Sequence, residues 1–199
     1  MQIINPQVLH DLQKGVPLQI NLGSGGVHIP GFYGVDLLPL EGVDVQADLN
    51  QPLEFFSDNS VSHVISRHTF EHVSNLLGLL EELHRVVRAD GRIEFVVPHF
   101  SDPAGYSDPT HVRFFGLFSM LYFADEHRWH RRVPNFYSKT RFIIDDTRIL
   151  FRRTGLDAFL GRAKEWVANL HPHAQQIYER HWCWIFPACE MKYVFHPKK

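Results

Sequence analysis

Apolar and polar side chains alternate through Leu18, Gln19, Ile20, Asn21 and Leu22, the two-residue period of a strand, and Gly23-Ser24-Gly25-Gly26 then frees the backbone for a sharp turn. A second strand, Tyr33-Gly34-Val35-Asp36, ends in a carboxylate, and a third, Val43 to Asp48, alternates and ends in another. Ahead of them, Asn5-Pro6 with Val8, Leu9, Leu12 and Gly15 has the cap, first-turn proline and closing glycine of a short helix. Val61 to Ser66 reads as a fourth strand. Asn75 then opens a helix with Leu76, Leu79, Leu80, Leu83, Val86 and Val87 on one face, and Glu81 and Arg85 are spaced to pair on the other. Ala89-Asp90-Gly91 stops it, and Arg92 to Pro98 makes a fifth strand with a nearly continuous apolar run.

Strands alternating with helices predict an α/β fold with a mainly parallel sheet, and ligands of such sheets sit beyond the carboxyl ends of the strands. That rule gathers Gly23 to Gly26, Asp36, Asp48, Arg67-His68 and His99 along one edge. From Pro98 to Lys139 the periodicity lapses into His, Asp, Pro and aromatic residues, which predicts an irregular lid over that edge. Beyond it, Arg141 to Ile144 and Arg148 to Phe151 look like strands and Ala174 to Arg180 like a short helix. No repeat or boundary divides residues 1–199, so one domain is expected, with its core at about 17–100.

The first turn limits the ligand. A dinucleotide fingerprint needs a third glycine where this chain has His28, and a long helix to hold a pyrophosphate. Gly23 and Asp36 are only thirteen positions apart, with Pro30-Gly31 between them, which leaves no room for that helix. A nucleoside without phosphates fits better, its ribose diol held by Asp36. S-adenosylmethionine is such a nucleoside, and its sulfonium suits a site lined by acids.

Composition narrows the setting. A chain of 199 residues, 44% hydrophobic and 21% charged, can bury a proper core. Its formal net charge of -2 gives no general drive toward nucleic acid or an anionic membrane. No segment has the length of a membrane span and no leader pattern opens the chain, so a cytoplasmic protein is expected. Cys183 and Cys189 read as free thiols. Fourteen histidines, concentrated after Val61 and often beside aromatics, supply the remaining candidate chemistry.

In order and spacing, Asn21-Leu22-Gly23-Ser24-Gly25, Gly34-Val35-Asp36-Leu37, Ala47-Asp48-Leu49, His68-Thr69-Phe70-Glu71-His72, Glu82 to Val87 and Asp90-Gly91-Arg92 resemble the class I S-adenosylmethionine-dependent methyltransferases, of the type 11 kind. The resemblance covers about residues 18 to 100. Asp108-Pro109-Thr110-His111-Val112-Arg113-Phe114-Phe115 further resembles short predicted methyltransferases of surface-polysaccharide biosynthesis. Asn21, where many relatives carry an acid, and Arg92, where a glycine is common, depart from the pattern.

The resemblance implies a Rossmann-like, seven-stranded sheet with helices on both faces. It implies S-adenosylmethionine held by Leu22, Gly23, Ser24, Gly25, Asp36, Leu37, Asp48, Leu49, Arg67 and His68, the alternative for Asp48 being a turn or helix-start residue before Pro52. An acceptor hydroxyl, on a glycan or other small molecule, needs a base, for which His99, Asp108 and His111 are the candidates beside His68. Asp108 is equally readable as a turn residue that His111 satisfies. Glu126 to Arg132 sets cations beside Trp129, suited to a sugar face or an acidic carrier, or simply to solvent.

Two other readings compete. His68-Thr69-Phe70-Glu71-His72 spells an inverted zinc-protease pattern, but straight after a strand and ahead of the helix signal at Asn75. A protein that binds the cofactor without catalysis is the other. No metal is expected in the site, and the oligomeric state is open.

Overall fold

The computed structural model describes residues 2–125, 129, 133–134, 136–153 and 157–199. In chain order these form β1 (Gln2–Ile3), α1 (Pro6–Gln13), β2 (Leu18–Leu22), β3 (Tyr33–Asp36), β4 (Val45–Gln46), β5 (Val61–Arg67), α2 (Leu76–Val86), β6 (Val87–Pro98), β7 (Phe142–Leu150), α3 (Asp157–Ala168), α4 (Pro172–Ile177) and β8 (Glu190–Pro197). Short 3-10 turns at Phe70–His72, Pro103–Tyr106 and Ser119–Phe123 and a π-turn at Tyr178–Trp182 complete the described elements.

All eight strands join one sheet in the order β1-β4-β3-β2-β5-β6-β8-β7. The pairs from β4 to β6 are parallel, whereas β8 runs antiparallel to both β6 and β7. Seven strands were expected. The eighth is β1, whose two residues pair antiparallel with Val45 and Gln46, too short a stretch to carry a periodic signal. Asn5 behaves as the sequence predicts, accepting from Gln7 N at 3.0 Å, and Asn75 accepts from Gly78 N at 3.1 Å.

Further along, the expectations need correcting. α2 ends at Val86 and β6 begins at Val87, because the Ala89-Asp90-Gly91 stretch is absorbed as an irregularity in the β5–β6 pairing rather than as a turn. Arg85 pairs with Glu82 at 2.7 Å and Asp58 at 2.8 Å, while Glu81 accepts from Ser138. The two strands expected at 141–151 are one, β7, with a shift in its pairing between Ile144 and Asp146. Beyond β7, α4 lies close to the short helix expected at Ala174 to Arg180, while α3 and β8 have no counterpart in the sequence reading.

Phe95 on β6 holds the two halves of the sheet to the segments above it. Its ring lies 4.3 Å from Phe70, 4.9 Å from Tyr193 and 6.2 Å from Phe115, all three buried. Replacing such a ring by alanine costs about 3–5 kcal/mol. The segment expected to form a lid therefore divides. Phe115, Leu117, Met120, Leu121 and Phe123 are core residues, whereas residues 102–114 lie outside the core on the turn after β5.

Over the C-terminal strands the two faces of the sheet differ in chemistry. Side chains alternate across a strand. Ile93, Phe95, Val97, Met191, Tyr193 and Phe195 are buried on one face of β6 and β8. Their neighbours Arg92, Glu94, Glu190 and Lys192 line a charged cavity of about 1010 Å³ on the other. Among the described residues, no helix is long and apolar enough to cross a membrane.

Candidate active site

β2 ends at Leu22, and Gly23 turns with φ of 65° while its N–H donates to Val35 O at 2.8 Å. A side chain here is excluded twice over: the backbone is left-handed, and a Cβ would stand 2.1 Å from Thr69 Oγ1. Gly25 is also left-handed, φ 56°, but nothing lies within 4 Å of where its Cβ would be. The turn is thus packed against Thr69 on one side and open on the other. Ser24 differs from both, since its side chain is buried against Gly34 and its Oγ has no hydrogen-bond partner among the described residues.

Asp36 closes the turn. Its Oδ2 accepts from Gly25 N at 2.8 Å and its Oδ1 from Leu38 N at 3.1 Å. A carboxylate has about four lone-pair sites, so Asp36 is braced in place with acceptor capacity left over. Leu37 beside it is 58% exposed, but Leu49 is only 8% exposed and belongs to the core. Asp48 takes the turn role weighed for it, Oδ1 accepting from Asn50 N and Nδ2, both at 2.9 Å. Asp44, which sequence reasoning passed over, braces the same edge by accepting from Gly34 N at 2.7 Å and Asn5 Nδ2 at 2.6 Å.

At the end of β5, Arg67 and His68 both turn to Glu190 on β8, Arg67 Nη2 at 2.6 Å and His68 Nε2 at 2.8 Å from Oε1. The other ring nitrogen of His68 lies 3.4 Å from Glu71 Oε1. The hydrogen bond to Glu190 and, after it, the nearby Glu71 carboxylate raise the His68 pKa to about 9, so it is a cation at neutral pH. Glu190 had no sequence signal pointing to it, since only the fold brings residue 190 to residue 68.

Past His68 the chain turns through Phe70–His72 and meets the lid segment. Val112 N donates to Glu71 O at 2.9 Å, and the Arg113 guanidinium donates to Val73 O and Ser74 O. This docking sets the His111 ring 4.8 Å from the His72 ring. Asp108 makes the expected turn, Oδ1 accepting from Thr110 N at 2.8 Å and Thr110 Oγ1 at 2.6 Å. Its Oδ2 lies 3.7 Å from His111 Nε2. Asp108 and His111 thus come together, joined by His72 and Glu71.

His99 does not join them. It is 1% exposed, its Nδ1 accepts from Ser101 N at 3.0 Å, and burial pulls its pKa down to about 4. A ring so enclosed cannot touch an acceptor, and its expected place at the mouth of the site is corrected to the core beside Phe100 and Tyr178. The inverted zinc-protease reading also lacks its geometry, because Phe70–His72 is a single 3-10 turn and His68, with φ of 52°, faces Glu190. Of the basic run 126–132, only Trp129 lies within the described residues.

Residues 35–95 match the methyltransferase domain family. Among curated proteins nothing matches. Among solved structures, the YcgJ protein from Bacillus subtilis is similar with a TM-score of 0.52 at 16% identity, over 97% of this chain and 98% of that one. A SAM-dependent methyltransferase from Archaeoglobus fulgidus is similar with a TM-score of 0.51 at 14% identity, over 96% and 93%. Phosphoethanolamine N-methyltransferase 2 of Haemonchus contortus, solved with S-adenosyl-L-methionine, is similar with a TM-score of 0.50 at 13% identity, over 97% of this chain and 52% of that one. At such identities the likeness is one of fold. The fold is thus one shared with S-adenosylmethionine-dependent methyltransferases, and residues 35–95 carry the likeness to the methyltransferase domain family.

Proposed function

We propose that the protein moves the methyl group of S-adenosylmethionine to a hydroxyl of a sugar or other small molecule, in the cytoplasm and in the service of surface-polysaccharide biosynthesis. The observation that carries the transfer to oxygen is the Asp108–His111 corner, fixed by Val112 to the same turn whose Thr69 packs on Gly23.

The cofactor fits what this edge offers. No helix follows β2 before β3, so phosphate has no cradle there, while Gly25 leaves open space and Asp36 keeps acceptor sites for a diol. Backbone at Leu22, Gly23, Ser24 and Gly25 would pass beneath the methionine portion, with Asp36 on the ribose. Leu37 would cover the adenine from its exposed position, and Asp48 would accept from the adenine amino group through Oδ2. Leu49 and His68 would shape the pocket from behind, and Arg67 would keep His68 and Glu190 in register. When bound, S-adenosylmethionine supplies a methyl on a sulfonium, an electrophile that needs no further activation.

The protein's remaining tasks are to hold the acceptor oxygen in line and to receive its proton. His72, Asp108 and His111 surround the place for that oxygen. Two imidazoles and a carboxylate within hydrogen-bond reach of one hydroxyl orient it and take its proton, an effect worth roughly 10²–10⁴ in rate.

The test is a methylation screen of sugars and nucleotide sugars, read by mass spectrometry as the gain of one methyl. The expected result is turnover that His111→Ala lowers by roughly 10²–10⁴ while cofactor binding by calorimetry is unchanged. A His111→Ala protein turning over its acceptor at the wild-type rate would remove this corner from the mechanism. Cofactor binding with no transfer to any hydroxyl, but transfer to an amine, would overturn the oxygen acceptor.

A further inference from the structure

We propose that Glu71, His72 and His111 form a binding site for one divalent transition-metal ion of the zinc type, positioned to hold the acceptor oxygen. The use of the ion rests on the acceptor corner described above; the site itself rests on four observations independent of that reading.

The first is convergence. One ligand atom from each of Glu71, His72 and His111 lies within 4.8 Å of the other two. A tetrahedral ion with bonds of ~2.0–2.1 Å needs its ligands about 3.3 Å apart, so binding draws the three side chains inward by small rotations.

The second is Glu71 itself. It is 1% exposed, yet neither carboxylate oxygen has a hydrogen bond among the described residues. Buried carboxylates are ordinarily paired and hydrogen-bonded or coordinate metals. His68 Nδ1 stands 3.4 Å from Glu71 Oε1 without hydrogen-bond geometry, and the other ring nitrogen is engaged by Glu190.

The third is how the two imidazoles are turned. His111 Nδ1 lies 2.8 Å from Gly105 O, a carbonyl that can only accept, so Nδ1 carries the proton. Thr110 Oγ1 gives its one proton to Asp108 Oδ1 at 2.6 Å and so must accept from His72 Nδ1 at 2.9 Å. In the neutral form of either ring this arrangement leaves Nε2 as the nitrogen free to bind a metal. Each Nδ1–H is held by an outer partner of the kind that fixes ligand orientation.

The fourth is the donor set. Two imidazoles and one carboxylate suit zinc, iron or manganese, whereas magnesium and calcium prefer oxygen alone. Three protein ligands leave a position open, the pattern of a catalytic rather than a structural ion. A hydroxyl in that position would be polarised by the ion, with Asp108 Oδ2, 3.7 Å from His111 Nε2, alongside to accept its proton. The residues differ from those of the inverted zinc-protease pattern, since His68 is replaced by His111 from a distant part of the chain.

The experiment uses the full chain stripped of metal by chelator dialysis, titrated with Zn²⁺ by calorimetry and with Co²⁺ by visible absorption, with Mg²⁺ as a control. One equivalent of Zn²⁺ should bind, and Co²⁺ should show d–d bands without a sulfur charge-transfer band. His72→Ala and His111→Ala should each weaken Zn²⁺ at least about 100-fold and Glu71→Gln about 10-fold. His173→Ala should leave binding unchanged, and Zn²⁺ should raise the Tm of the wild type but not of His111→Ala. A folded wild type that takes up no equivalent of Zn²⁺, or binds it equally well after the double change at His72 and His111, overturns the site. S-adenosylmethionine binding, measured on the stripped protein, separates the two readings. Cofactor without zinc defeats the metal site alone, and zinc without cofactor defeats the methyltransferase reading.

Discussion

At the edge formed by β2, β3 and β4, the groups left open are mostly backbone held in place by a few acids; at the corner formed by residues 68–72 and 105–113, they are side chains from segments far apart in sequence. Asp36 braces Gly25 from eleven residues away, whereas His111 meets His72 across thirty-nine. The first region is set by local turn chemistry and needs only glycines and short hydrogen bonds. The second exists only after the sheet has formed and residues 102–114 have docked on the turn after β5. Cofactor binding and acceptor chemistry should therefore fail separately, through different substitutions.

The largest effect is expected where the edge meets the corner. Gly23→Val adds branched side-chain bulk into Thr69 at a left-handed backbone position, and overpacking plus strain should destabilise the fold by about 4 kcal/mol. Urea unfolding would register this as a lower midpoint, together with loss of cofactor binding. At the corner, His111→Ala should lower turnover by roughly 10²–10⁴ with the cofactor Kd unchanged. Equal losses in both measurements would mean that the two regions are not separable.

His99 gives a pH signature unrelated to either region. Its pKa is about 4 in the folded protein, against about 6.5 unfolded. Between those values the unfolded chain binds a proton that the folded chain does not, so stability rises with pH across this window and levels off above it. The contribution is about 3 kcal/mol, and urea midpoints compared between His99→Gln and wild type should show a shallower slope in the variant. An unchanged slope would mean that His99 titrates normally and is reachable from solvent.

The same contrast explains what was legible in the sequence. Strands β2, β3 and β5, helix α2 and the turn at Gly23 to Gly26 follow from period and capping, because local residues decide them. β7 was read as two strands because Asp145-Asp146 interrupts its apolar pattern where the pairing register shifts, and a shift of this kind breaks the alternation. β8 sets Met191, Tyr193 and Phe195 against Glu190 and Lys192, but Val194, buried between Tyr193 and Phe195, breaks the alternation. α3 escaped because Phe159 and Trp166 are 80% and 69% exposed, so its apolar residues do not mark a buried face. Glu71 and His72 were visible as a motif, but their partner His111 was not, since spacing along the chain does not encode which segment docks on which turn.

The smallest expected change in binding energy bears on the cofactor edge. Calorimetric titration with S-adenosylmethionine, and with its demethylated product, should give one site per wild-type chain and the same affinity for His111→Ala. Asp36→Ala should weaken it by about 2 kcal/mol, roughly thirtyfold, through loss of hydrogen bonds to a charged acceptor. Wild-type protein that ignores both ligands, or an Asp36→Ala protein that binds them as tightly as wild type, would contradict a nucleoside held at the end of β3.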